Sequence, residues 1–229
     1  MEFGNGFDSG HKAEIDVPQT EIYRYLGYRR NDPDDTVKER VAAVCRQLEG
    51  DAQPQAFFRD YPLTANADGM LIIDGMQIRS RGLFKNMSGC ERVILLAATL
   101  GAQVDRRLYR LGRLDVTGQV ILQAAAAAYL EAYLDWIQDH LRQEGKKQGW
   151  YIRPRFSPGY GDLGLEYQKW MAQELQLQKR LGIVLSDSLM MSPSKSVTAL
   201  IGVSRSDIRC LHNGCETCEK TDCAFRRQP

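Results

Sequence analysis

The chain has 229 residues, 43 % of them hydrophobic, with 30 Lys and Arg against 29 Asp and Glu. Those proportions describe a globular chain and exclude disorder, collagen and a disulfide-stapled miniprotein. A net charge of +1 gives no global attraction to phosphate, and no local basic patch points to nucleic acid.

Residues 1–15 are polar and glycine-containing and are expected to form a mobile arm. The arm has no basic segment leading into an apolar core, so it is not a secretory signal, and a cytoplasmic location is expected. From Pro18, Ile22, Tyr25 and Leu26, then Val37, Val41, Val44 and Leu48, recur at helical spacing. Asn31-Asp32-Pro33 breaks this helical part, about 16–50, into two helices, and Asp34 or Asp35 can cap the second. Residues 52–90 read as antiparallel strands, with Asp74-Gly75 as a two-residue hairpin turn between Leu71-Ile72-Ile73 and Met76 to Ile78.

Val93 to Ala98 reads as a buried strand, and Val104, Leu108 and Leu111 return to helical spacing. Thr117 can cap a long helix whose first half, Val120 to Leu130, is apolar nearly all round and must be central to the core. The uncharged stretch Val116 to Leu130 is too short and too rich in Ala and Gln to span a bilayer. Glu131, Asp135 and Asp139 follow on one stripe at i, i+4 spacing. Leu165 to Leu181 is expected as one helix stopped by Gly182. Ile183 to Met191 and Ser196 to Ser204 are expected as a hairpin through Ser192-Pro193-Ser194-Lys195. Strands and helices are segregated, which predicts an α+β fold: a twisted antiparallel sheet packed with helices.

Two segments carry chemistry. Arg153-Pro154-Arg155-Phe156-Ser157-Pro158-Gly159-Tyr160-Gly161-Asp162 combines prolines that lock φ with glycines that admit positive φ and close approach to the main chain. Arg155 suits a bidentate grip on a carboxylate or phosphate, and Tyr160 offers a flat amphipathic wall. A surface turn between helices is the alternative. The second segment is Cys210-x4-Cys215-x2-Cys218-x4-Cys223, four thiols in fourteen residues. In a reducing compartment such a cluster reads as a metal site. The spacing fits neither paired zinc-finger nor ferredoxin patterns, so an iron-sulfur cluster and zinc both remain open. Lys220, Arg226 and Arg227 would favour the thiolate form, and His212 could replace a cysteine. Cys45 and Cys90 sit in or beside apolar runs and read as packed core thiols.

The loop RFSPGYGD, the following LGLEYQKWM and KRLGIVLSDSLMMSPSKSVTALIG resemble the activation domain of cobalamin-dependent methionine synthase in its stand-alone form. SGCERVILLAATLGAQVDRRLYRL and AAAAAYLEAYLD extend the resemblance, which runs from about Ile22 to the C-terminus. It implies a domain at 16–205 that binds S-adenosylmethionine and supports reductive methylation of cob(II)alamin, followed by a cysteine-rich tail at 206–229. Arg155 would grip the ligand's carboxylate, Glu131 its amino group, and Ser157, Gly159, Tyr160 and Asp162 would complete the site. Asp162 has the alternative of capping the helix that follows. Lys195-Ser196 also match the stand-alone pattern, but a lysine at a turn is expected to be solvated.

The resemblance further implies a partner carrying the cobalamin, either a separate cobalamin-dependent methionine synthase or another corrinoid protein. A reduced flavodoxin or ferredoxin would be the electron donor. No cobalamin-binding Asp-x-His-x-x-Gly occurs in the chain, and the family's longer C-terminal segment is replaced after Gly202 by the cysteines. A metal-stabilised docking module, or a redox activator for another corrinoid methyltransferase, are the alternative functions.

Overall fold

A computed structural model describes residues 5–9, 15–28, 32–66 and 68–207. The architecture is α+β: a seven-stranded antiparallel sheet covered by helices on both faces. Its centre is β5 (Arg92–Thr99), flanked by β2 (Gln55–Ala65) and β9 (Ser196–Ser204). The Val93 to Ala98 run is apolar at every position because both faces of β5 are covered. Ile94, Leu96 and Ala98 enter one core, and Val93, Leu95 and Ala97 enter the other.

The first core lies under α1 (Gln19–Tyr25), α2 (Asp35–Asp51), α4 (Ala102–Leu114) and α5 (Val116–Lys147). Ala124, Ala125, Ala126 and Ala128 of α5 are buried there, so their small side chains set how closely this helix lies on its neighbours. The second core holds α3 (Arg81–Asn86), α6 (Tyr167–Glu174) and α7 (Leu177–Leu181), with Phe156 and Leu163 from the proline-glycine loop. The hairpin β3 (Met70–Ile73) and β4 (Met76–Arg79) forms as expected, with Asp74 and Gly75 both at positive φ, as a two-residue hairpin turn of this kind requires. Asp34 caps α2 by accepting from the Val37 amide.

Four expectations are corrected. Within the arm expected at residues 1–15, β1 (Asn5–Ser9) is a strand paired with the first half of β2, while β3 takes the same edge further along. An eleven-residue strand leaves room for both. The cap of α5 is Asp115 rather than Thr117: its carboxylate accepts from the Gly118 amide at 3.0 Å, and a Cβ at Gly118 would sit 2.3 Å from it. The helix expected over 165–181 divides at Gln176, which is left-handed (φ 49°). The break lets Leu175 and Leu177 both enter the second core, and Arg59 donates to the Glu174 carbonyl beside it at 2.8 Å.

The hairpin expected over 183–204 does not form. Residues 183–191 fold back on themselves as β7 (Val184–Leu185) and β8 (Met191–Ser192), because the Ser186 amide donates to the Met190 carbonyl while the Ser186 hydroxyl accepts from the Met190 amide. β9 instead pairs with β5 from Ser196 to Val203, and its far edge takes β6 (Tyr151–Ile152). That far edge also holds the proline-glycine loop, since Phe156 exchanges both backbone hydrogen bonds with Leu200.

Candidate functional site

The bridge to Leu200 fixes which way the loop's side chains point. Phe156 enters the second core, and its neighbour Arg155 turns to the opposite side, towards α5. There its guanidinium donates to Glu131 at 2.6 Å, to Asp135 at 2.5 Å and to the Gln138 side-chain oxygen at 3.3 Å. The three acceptors lie on one stripe of α5, at i, i+4 and i+7. Gln138 is itself buried and donates to the Arg153 carbonyl, which ties the helix to the root of the loop. Burial works to lower the Arg155 pKa, and the carboxylates of Asp135 and Glu131 outweigh it, holding the guanidinium above its ordinary value.

The Arg155 side chain is 21 % exposed, against 44 % for Glu131 and 58 % for Asp135. The cluster is therefore a cation at the bottom of a rim of carboxylates, open to solvent. One guanidinium against two carboxylates leaves it a formal charge deficit. Such an arrangement accepts a zwitterion: an incoming carboxylate takes guanidinium donors, and an incoming ammonium takes the carboxylates so released.

Beyond Arg155 the loop is a compact double turn. The Tyr160 amide donates to the Ser157 carbonyl, the Leu163 amide to the Tyr160 carbonyl, and the Gly159 amide to the Leu163 carbonyl. Gly159 has φ 84° and Gly161 has φ 58°, so both sit where a side chain would strain the turn. Tyr160 packs edge-on against Phe156 with ring centroids 5.3 Å apart, leaving much of its ring at the surface. Ser157 is half-buried.

The structure thus joins Glu131 to Arg155 and keeps Ser157, Gly159 and Tyr160 on the same loop. Asp162 goes elsewhere. Its carboxylate accepts from the Ser80 hydroxyl, the Arg81 amide and the Gly82 amide at 2.6, 2.6 and 3.0 Å, so it anchors the loop to the N-terminus of α3 rather than capping the helix after it. The Ser80 hydroxyl first, with the Gly82 and Arg81 amides, holds this carboxyl below the usual carboxylate range. Asp135 and Gln138 are additions to the expected site. The signal for them was the stripe that starts at Glu131. Asp139, next on that stripe, pairs with Arg142 and takes no part.

Lys195 is half-buried rather than solvated: its ammonium donates to the Gln123 carbonyl at 3.4 Å, and burial lowers its pKa. Cys45 and Cys90 are partly buried, packed against the first and second core respectively, and burial pushes the Cys45 thiol up. Cys210, Cys215, Cys218 and Cys223 lie outside the described residues. Among the described residues no three His, Cys, Asp or Glu side chains group as metal ligands, and no helix is long and apolar enough to cross a membrane.

No protein-family model and no curated sequence matches the chain. Among solved structures it matches the crystal structure of the MetH reactivation domain bound to AdoHcy, with a TM-score of 0.68 over 90 % of this chain and 80 % of that one, at 15 % identity. The chain has the reactivation-domain fold. At that identity the shared feature is the architecture, and within the reactivation-domain fold of this chain Arg155 and Glu131 form the charged cluster between α5 and the loop that β9 holds.

Proposed function

We propose that this chain binds S-adenosylmethionine at the Arg155 cluster and serves the reductive reactivation of a corrinoid carried by a separate protein, such as a cobalamin-dependent methionine synthase. The observation that carries the reading is the pairing of Arg155 with Glu131 and Asp135 on a fold shared with a domain solved with AdoHcy. S-adenosylmethionine combines a carboxylate, an ammonium and a sulfonium, so its net positive charge complements a cluster with one more carboxylate than cations.

In this reading Arg155 takes the ligand's carboxylate, Glu131 its ammonium, and Asp135 adds attraction for the cationic end. The rigid turn of Ser157, Gly159 and Tyr160 offers main-chain groups and an aromatic wall beside them. Asp162 contributes through α3, by fixing the turn in place. The ligand would supply an electrophilic methyl on its sulfonium and leave as S-adenosylhomocysteine, and the partner's corrinoid, once taken from cob(II) to cob(I) by one electron from the donor, would receive that methyl. The chain's own work is orientation: a ligand held at a fixed rim turns a bimolecular encounter into an aligned one.

The cysteine tail enters the same reading as an electron-handling centre. Four thiols within fourteen residues, with Lys220, Arg226 and Arg227 beside them, favour ligating thiolates, and we assign them an iron-sulfur cluster, with zinc as the alternative. A reduced flavodoxin or ferredoxin would supply the electron.

The test is rescue. A corrinoid methionine synthase lacking its own reactivation domain, held in the cob(II)alamin state with a reductant, is expected to regain turnover only when both this chain and S-adenosylmethionine are added. Equal recovery without the chain, or recovery indifferent to S-adenosylmethionine, contradicts the proposal.

A further inference from the structure

The corner where α4 meets α5 carries a surface that the methyl-donor reading does not use. The two helices are joined through Asp115 alone, which ends one and caps the other. Arg40 of α2 pairs with Asp115, Arg107 pairs with Asp51, and the Gln119 side-chain Nε2 donates to the Leu108 carbonyl across a gap kept open by Gly112. The corner is therefore held in place from three sides.

What it presents outward is cationic and apolar together. Arg106, Tyr109, Arg110 and Arg113 fall at i, i+3, i+4 and i+7 of α4, on the face opposite the buried Val104 and Leu108. Among the described residues no carboxylate pairs with these three arginines, which stand together on one face, as the ion pairs of Arg40 and Arg107 beside them do not reach it. Arg113 lies over the Tyr109 ring at 4.7 Å and donates to its hydroxyl, which holds both side chains extended at the surface. Beside them Leu114 is 72 % exposed and Val116 64 %, and Val120 follows one turn along α5. Three clustered arginines without acidic partners around an exposed apolar group offer a complement to an acidic surface with an apolar centre.

We infer that the α4–α5 corner is a docking surface for a protein partner whose matching face is acidic around an apolar centre. The charge selects the sign of the partner. The residue types select its class: arginine and tyrosine around aliphatic side chains are the residues enriched in protein interfaces, where lysine is depleted, and no lysine occurs between Lys85 and Lys146. A second copy of the chain is disfavoured because it would bring the same arginines face to face. Val116 lies about fifteen residues, or about 22 Å, along α5 from Glu131, so a partner here leaves the Arg155 cluster accessible. The inference stands apart from the ligand read at that cluster.

The test places a photo-reactive benzoylphenylalanine at Tyr109 or Val120 of the full chain, expressed in its own host, and identifies the cross-linked species by mass spectrometry. Expected is a discrete protein cross-linked through a peptide rich in Asp and Glu. Its yield should fall at least tenfold when Arg106, Arg110 and Arg113 are all changed to Glu, and by less when they are changed to Gln. Arg46→Glu, an exposed change on α2, should leave it intact. Melting curves check that each variant folds. Cross-links to lipid, nucleic acid or a second copy, a cross-link indifferent to charge reversal, or no cross-link at all overturns the inference. So does charge-dependent co-sedimentation of the purified chain with phosphatidylserine–phosphatidylcholine vesicles.

Discussion

Asp135 and Asp139 are one helical turn apart on α5 and take opposite roles. Asp135 meets Arg155, which reaches across from the loop, while Asp139 meets Arg142 of its own helix. The first pair is part of the proposed ligand site, and it makes a selectivity prediction. Asp135→Asn should reduce the preference for S-adenosylmethionine over S-adenosylhomocysteine, which lacks the sulfonium charge, by about two- to fivefold, the effect of a half-exposed ion pair worth roughly 0.5–1 kcal/mol. Competition titrations measure it, and an unchanged ratio removes Asp135 from the site. Asp162 makes a prediction about pH. Its folded pKa is depressed, so its contribution to stability is complete above the unfolded value of about 3.9 and is lost as pH falls through the lower folded value. Denaturation midpoints of the wild type and Asp162→Asn should therefore differ near neutral pH and converge in acid. A gap that persists in acid would show that the charge is not what α3 uses. In the sequence Arg155 and Glu131 stood out by residue type and setting. The destination of Asp162 did not, because Ser80 and Gly82 lie some eighty positions away and nothing local marks them as its partners.

At the scale of elements, the same contrast separates β5 from β9. The run Val93 to Ala98 identifies a strand covered on both sides from its own composition. The partner of β9 depended on whether residues 183–191 were long enough to be a strand themselves, and Ser186-Asp187-Ser188 bends them back first. Helix α5 was legible for the opposite reason: its apolar first half has only one way to be satisfied, at the centre of the first core. Gly202 of β9 shows how tightly the loop's root is packed against the sheet. A Cβ there would lie 2.7 Å from both the Cys90 and Met87 sulfurs and 3.0 Å from Arg153 Cγ. Gly202→Ala should destabilise the fold by about 1–3 kcal/mol through overpacking. It should also weaken ligand binding, since Arg153 leads directly into Arg155. Thermal melts and titrations of the same variant check the two effects, and a neutral substitution would mean that Arg153 and the sulfurs can yield.

For the whole molecule, a balanced charge of +1 conceals an uneven distribution: a carboxylate-rich rim on α5, and on α4 three arginines that no carboxylate pairs with among the described residues. The fold class was legible because strands and helices are segregated along the chain. The two-sided burial of the sheet was not, since it depends on which helices cross to which face. The cysteine tail adds a prediction for the intact chain. Prepared without oxygen, it should contain iron and show broad thiolate-to-iron absorption, lost when Cys215 and Cys218 are changed to Ser. A colourless protein with stoichiometric zinc would instead assign the tail a structural role. The central claim is the ligand at Arg155, and calorimetric titration of S-adenosylmethionine into the full chain tests it most directly. One site is expected, weakened about 10- to 150-fold in Arg155→Ala, as loss of a charged hydrogen-bond donor implies. Absence of binding to the wild type, or equal affinity in a folded Arg155→Ala variant, would contradict it.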